Sequence, residues 1–160
     1  MLLSAFVGFA ACAQQPAASP RAKATGKAGN ATITIDYGQP SVKGRKIFGD
    51  LVPYAKVWRA GANEATVFET DSDIKVDGKA LAKGKYGFFT IPGEKEWVII
   101  FNKTPNQWGA YKYAEADDVL RVKVKPTKAP QFTERMTFTV DKSGKVALLW
   151  GNEQVAFNVQ

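Results

Sequence analysis

A chain of 160 residues with one cysteine, no histidine and a formal charge of +7 has the length of a single domain preceded by a leader. The missing histidine excludes a Ser-His-Asp triad, a Cys-His dyad, a His-ligated zinc and a histidine general base. The cationic surplus favours anionic surfaces or ligands, but no recognisable nucleic-acid module accompanies it, so no nucleic-acid partner is expected.

Residues 1–14, MLLSAFVGFAACAQ, read as a signal peptide: an apolar run too short to span a bilayer, followed by small residues. Two processing routes fit. Phe9-Ala10-Ala11-Cys12 resembles a relaxed lipobox, which would place a diacyl group on Cys12. Alternatively, Ala11-Cys12-Ala13 is a cleavage site and the product is released before Gln14. The expected address is therefore exported, either as a periplasmic or outer-membrane lipoprotein or as a secreted protein. Membrane contact is expected only through that anchor. With Cys12 in the leader, the mature fold has no disulfide, thiol nucleophile or thiolate metal site. Residues 15–30 hold Ala, Pro, Lys, Gly and Ser with no large apolar side chain, and their composition predicts a flexible tether.

From Ala31 the pattern is strands. Ile33, Ile35 and Tyr37 alternate with polar residues. Residues 39–66, QPSVKGRKIFGDLVPYAKVWRAGANEAT, have neither helical nor strand period yet many large apolar groups, which predicts an ordered, partly buried loop. Short strands follow at 65–69 and within 74–81, where Asp77-Gly78 marks a two-residue hairpin turn. Residues 85–91 form an aromatic strand. Pro92-Gly93-Glu94-Lys95 turns it into the apolar run 96–102, expected in the interior of a sheet. A loop at 104–113 precedes a strand at 119–125, where Leu120, Val122 and Val124 alternate with Arg121, Lys123 and Lys125. The C-terminal third reads as strands 135–140, 146–150 and 154–159, with turns at 141–144 and 151–153. About nine strands with short turns predict an all-β antiparallel sandwich, jelly-roll or immunoglobulin-like, with a closed barrel as runner-up.

The motifs SVKGRKIFG, LVPYAKVWRAGANEAT, YGFFTIPGEKEW, IIFNK and QWGAYKY, in that order, resemble domain-of-unknown-function family 2911 (DUF2911). The resemblance runs from about Ala31 to the C-terminus. It implies a bacterial envelope protein of the kind common in Bacteroidota, and it implies no activity.

Two stretches could carry chemistry. In the first, Lys43 and Arg45 flank Gly44, and Arg59, Asn63 and Glu64 close the 39–66 loop. A basic, glycine-containing turn can cradle a carboxylate, sulfate or phosphate. A plainer reading pairs Arg59 with Glu64 to tie the loop down, while Phe48 and Trp58 plug one end of the sandwich. In the second stretch, Trp108 and Tyr111 stand beside the amides of Asn106 and Gln107, a combination suited to a sugar ring. The plainer reading buries both aromatics over the sheet. The three cations at 121, 123 and 125 fit a solvated strand face.

The expectation is a non-catalytic binding module for an anionic or carbohydrate-like small molecule, or for an envelope protein, with no cofactor and no metal. One alternative is a metal-independent hydrolase or lyase using Glu64, Lys43 and Tyr86. Another is a purely structural envelope domain.

Overall fold

A computed structural model describes residues 18–160. The expected signal peptide at 1–14 and the lipidation candidate Cys12 lie outside the described residues. Within them the fold is an all-β antiparallel sandwich of ten strands: β1 (Arg21–Ala28), β2 (Ala31–Gly38), β3 (Thr66–Thr70), β4 (Ile74–Val76), β5 (Lys79–Leu81), β6 (Gly84–Ile91), β7 (Trp97–Asn102), β8 (Asp118–Val124), β9 (Thr127–Val140) and β10 (Lys145–Asn158). The main layer is one sheet in the order β1-β2-β3-β6-β7-β8, and it does not close into a barrel.

The second layer is built from the β9–β10 hairpin, whose free edges are extended by neighbours. On one side Val42 N donates to Glu134 O at 2.9 Å and Met136 N donates to Pro40 O at 2.9 Å. On the other, Lys75 and Gln160 exchange main-chain bonds of 2.7 and 3.0 Å, which joins the β4–β5 hairpin to the end of the chain. The Asp77-Gly78 turn has φ of 45° and 83°, the two positive values a primed hairpin turn requires.

The core lies between the layers. Ile33, Ile35, Tyr37, Phe68, Phe88, Ile99 and Phe101 from the main sheet face Met136, Phe138, Val146, Leu148, Val155 and Phe157. Tyr37 adds a polar link, because its hydroxyl accepts a bond from Phe138 N across the layers at 3.1 Å. Strands β6 and β7 are covered on both faces. Phe89 and Ile100 form a smaller outer cluster with Ala65, beneath Val57, Ala110 and Tyr113. That double cover explains the unbroken apolar run of β7.

Two expectations need correction. The segment 15–30 is not all tether, since residues 21–28 form β1 and pair in register with all of β2. Its alternation of Ala22, Ala24, Gly26 and Ala28 with Arg21, Lys23, Thr25 and Lys27 is a strand period written in small residues. Small side chains suffice because the inward face of β1 lies close against β9: a Cβ on Gly26 would sit 2.6 Å from Val140 O. The domain therefore starts about ten residues earlier than composition suggests. The second correction falls at 151–153. There the chain does not turn; Gly151, at φ 61°, makes a bulge inside the continuous strand β10, with register shifts on both sides.

The loop between β7 and β8 is pinned to the outer face by a polar network. Asp118 accepts from the Tyr113 hydroxyl and, at 2.8 Å, from Arg121 Nε, and Arg121 Nη2 donates to the Tyr113 oxygen at 2.9 Å. Asn102 reaches the other Asp118 oxygen at 2.9 Å and the Ala114 carbonyl at 3.1 Å. Lys123 pairs with Glu96 at 3.2 Å. Two of the three cations expected as a solvated stripe are thus compensated within the fold, leaving Lys125.

Burial, reinforced by the Asp118 carboxylate, pushes the Tyr113 phenol from 10.0 up to about 12. The folded state thus holds this proton more tightly than the unfolded chain. Stability from this group is fully present below about pH 10 and is lost as pH rises towards about 12. Urea unfolding across that window should show the loss, and Tyr113→Phe should flatten it. Gly26→Val is expected to destabilise by about 1–3 kcal/mol through overpacking against Val140. Calorimetry should also find a chain beginning at residue 31 well below one beginning at residue 19 in Tm, whereas a true tether would leave the two alike.

Candidate functional site

The 39–66 loop is held by its aromatic residues. Trp58 and Thr90 exchange main-chain bonds of 2.7 and 2.9 Å, so the loop continues the lane of β3 beside β6. The Trp58 ring stacks on Trp150 at 5.9 Å with 12° between planes. Phe48 packs edge-on against Trp97 at 4.8 Å. Phe48 and Trp58 do plug the end of the sandwich. Ala55 and Ala60 adopt left-handed φ of 60° and 52°, which alanine seldom does without tertiary support. For Ala60 that support is a bond from the Thr66 hydroxyl to its carbonyl at 2.9 Å. Gly61 has no room for a side chain, because a Cβ would lie 2.9 Å from Gly38 O.

This scaffold leaves a hollow of about 460 Å³ at the end of the sandwich. Arg45, Lys56, Arg59 and Asn63 line it with Trp58 and Trp150, and among the described residues no carboxylate does. Arg45 is braced by two loop carbonyls, Nε to Val42 O at 3.0 Å and Nη2 to Ser41 O at 2.6 Å. Arg59 is half-buried, and its Nε is shut from solvent without a hydrogen-bond partner among the described residues. Desolvation lowers its pKa, an effect that nearby Tyr111 opposes. It remains a cation at neutral pH. Trp150, which lines the same hollow, has its Nε1 buried without a hydrogen-bond partner among the described residues.

Arg59 does not pair with Glu64. Residues 63–65 turn instead to the 104–113 loop: Gly109 N donates to Asn63 O at 3.0 Å and Ala65 N donates to Gln107 O at 2.9 Å. The two candidate stretches therefore meet in one short ladder. The chain bends at Asn63, whose φ of 63° is left-handed, and on its two sides Asn63 lines the cationic hollow while Glu64 lines another beyond it.

That second hollow, of about 550 Å³, lies over the outer face of β1, β2, β3 and β6, with 105–108 as its wall. Its charges are mutually compensated. Arg21 contacts Asp36 at 2.7 Å and Glu64 at 3.6 Å, Lys23 contacts Asp36 at 3.6 Å, and Lys85 contacts Glu69 at 3.7 Å. Trp108 is 60 % exposed at the rim and Tyr111 is 87 % exposed, so neither is buried over the sheet.

Of the candidate residues, Arg45, Arg59 and Asn63 come together in one hollow, with Tyr111 beside Arg59. Glu64 and Trp108 share the other. Lys43 lines neither; it stands exposed at φ 48° with its amide donating to Glu134 at 2.9 Å. Tyr86 faces the core and gives its hydroxyl proton to Ala82 O at 2.6 Å. Glu64, Lys43 and Tyr86 are thus not gathered in one hollow. Sequence reasoning missed Lys56, Trp150, Arg21, Asp36, Glu69 and Lys85. The alternation of β1 and β2 could have placed Arg21 beside Asp36, but nothing local links Trp150 to Arg59.

No curated protein and no solved structure matches the chain. The family model described as "Protein of unknown function (DUF2911)" matches residues 19–159. The five motifs that resemble this family all fall inside that span, and so does β1, which the resemblance had left out. From just ahead of β1 to the closing residues of the sandwich, the chain belongs to the family of unknown function DUF2911.

Proposed function

We propose that the protein is a non-catalytic binding module that recognises a small anionic ligand in the hollow formed by the 39–66 loop. One observation carries this reading: Arg59 is a half-buried guanidinium with no carboxylate beside it, in a hollow shared with Arg45 and Lys56. A desolvated cation without a counter-charge is costly, and folded proteins ordinarily pair it. An incoming carboxylate, sulfate or phosphate would supply that pairing. Arg59 can present its two terminal guanidinium nitrogens to two oxygens of such a ligand. The volume suits a group the size of an acidic monosaccharide. The leader supports export as the setting, with Cys12 as the membrane anchor.

The reading separates cleanly from a structural role for Arg59. Replacing a structural arginine lowers stability, whereas replacing an unpaired, partly desolvated one with an apolar residue of similar length is neutral or stabilising. Arg59→Met is therefore expected to hold or raise Tm while weakening binding of glucuronate, N-acetylneuraminate, sulfate or inorganic phosphate by about 10- to 100-fold in calorimetric titration. If none of these binds the intact protein, or if Arg59→Met binds as well as the parent, the anion site is lost. Metabolic labelling with a radioactive fatty acid should mark the full-length protein and not Cys12→Ser. An unlabelled parent would remove the anchor.

A further inference from the structure

The hollow over the outer sheet face differs in chemistry from the cationic one, and we infer that it is a separate site for a neutral, polyhydroxylated ligand, a sugar unit or short oligosaccharide. Its floor carries cations and carboxylates already joined as Arg21–Asp36 and Lys85–Glu69. Such pairs offer little net field to an ion. They do offer fixed donors and acceptors side by side, which is what a ring of hydroxyl groups requires, each hydroxyl being both donor and acceptor. Trp108 supplies the apolar half of the recognition: an exposed indole at the rim can cover the C–H face of a sugar.

A third observation is independent of both. Gln107 is 8 % exposed and lines this hollow, yet only its amide nitrogen is satisfied, by donating to Thr104 O at 2.7 Å. Its Oε1 has no partner among the described residues. A buried acceptor without a partner is uncommon; this oxygen is closed to solvent as the wall stands, and a small shift of the Gln107 side chain would let a ligand hydroxyl, or a water carried in with it, satisfy it. The wall is a stiff platform for Trp108, since Glu64 and Trp108 are bridged in the ladder and the 103–118 loop is fastened through Asp118.

The protein provides its own reporter. Trp58, Trp97 and Trp150 are buried at 8 %, 0 % and 2 % exposure, so ligand-dependent changes in solvent-accessible tryptophan fluorescence come from Trp108. The protein beginning at residue 19 should be titrated with cellohexaose, chitohexaose, xylohexaose and maltohexaose by fluorescence and calorimetry. At least one is expected to protect Trp108 from acrylamide quenching and to bind saturably. Trp108→Ala and Glu69→Gln should each weaken that binding at least about tenfold, while Arg59→Met leaves it within about twofold. Because Trp108 and Glu69 lie at the surface, both variants are expected to fold with parental Tm. No binding by any of the four at millimolar concentration would overturn the inference. So would saturable binding that survives both substitutions. Loss of sugar binding in Arg59→Met would assign the sugar to the anion hollow and remove the second site. Failure of the anion reading alone, with Arg59→Met silent towards sugars, leaves this inference standing.

Discussion

The structure depends on four aromatic residues meeting at one end of the sandwich: Phe48 and Trp58 from the long loop, Trp97 from β7 and Trp150 from β10. Truncating a buried tryptophan costs about 3–5 kcal/mol, against a total stability of about 5–15 kcal/mol for a domain. No surface ion pair in this fold can match that. The loop is therefore ordered chiefly by apolar burial, and Arg59 is freed from tying it down. That is why Arg59, next to Trp58, can stand half-buried without a carboxylate. The same burial sustains the left-handed alanines at 55 and 60, which carry strain that a free loop would relax.

The two hollows follow from the ladder between 63–65 and 107–109. The left-handed bend at Asn63 leaves Asn63 on one side and Glu64 on the other, so neighbouring residues serve chemically opposite surroundings. On one side the cations are unopposed. On the other, Arg21, Lys23 and Lys85 are each matched by Asp36, Glu64 or Glu69. The net charge of the chain therefore says little about either hollow; what matters is which cations lack a partner. A formal +7 read as a general attraction for anions resolves into a local one at Arg45, Lys56 and Arg59.

Much of the fold was legible because period-two alternation is a local property. The strands around Ile33 and Val122 stand where their alternation places them, those around Phe88 and Ile99 where their aromatic and apolar runs do, and the Asp77-Gly78 turn needs only its own two residues. The first strand lacks the large apolar groups by which composition signals order. Its alanines and glycine instead satisfy a close approach to β9 that no local pattern displays. Gly151 suggests a turn for a related reason: a left-handed glycine serves a turn and a bulge equally, and the strands on either side decide which.

What the sequence by itself determined was the all-β class, the domain's family and the ordered, partly buried character of the 39–66 loop. All of these rest on short-range pattern and composition. Only the tertiary structure decided that Arg59 lacks Glu64 as a partner, that Glu64 belongs with Arg21, and that Trp150 closes a hollow made by residues nearly a hundred positions earlier. Those outcomes depend on which strand lies beside which. Strand neighbours are selected by how the whole core packs, and that choice is written in no single stretch of the chain.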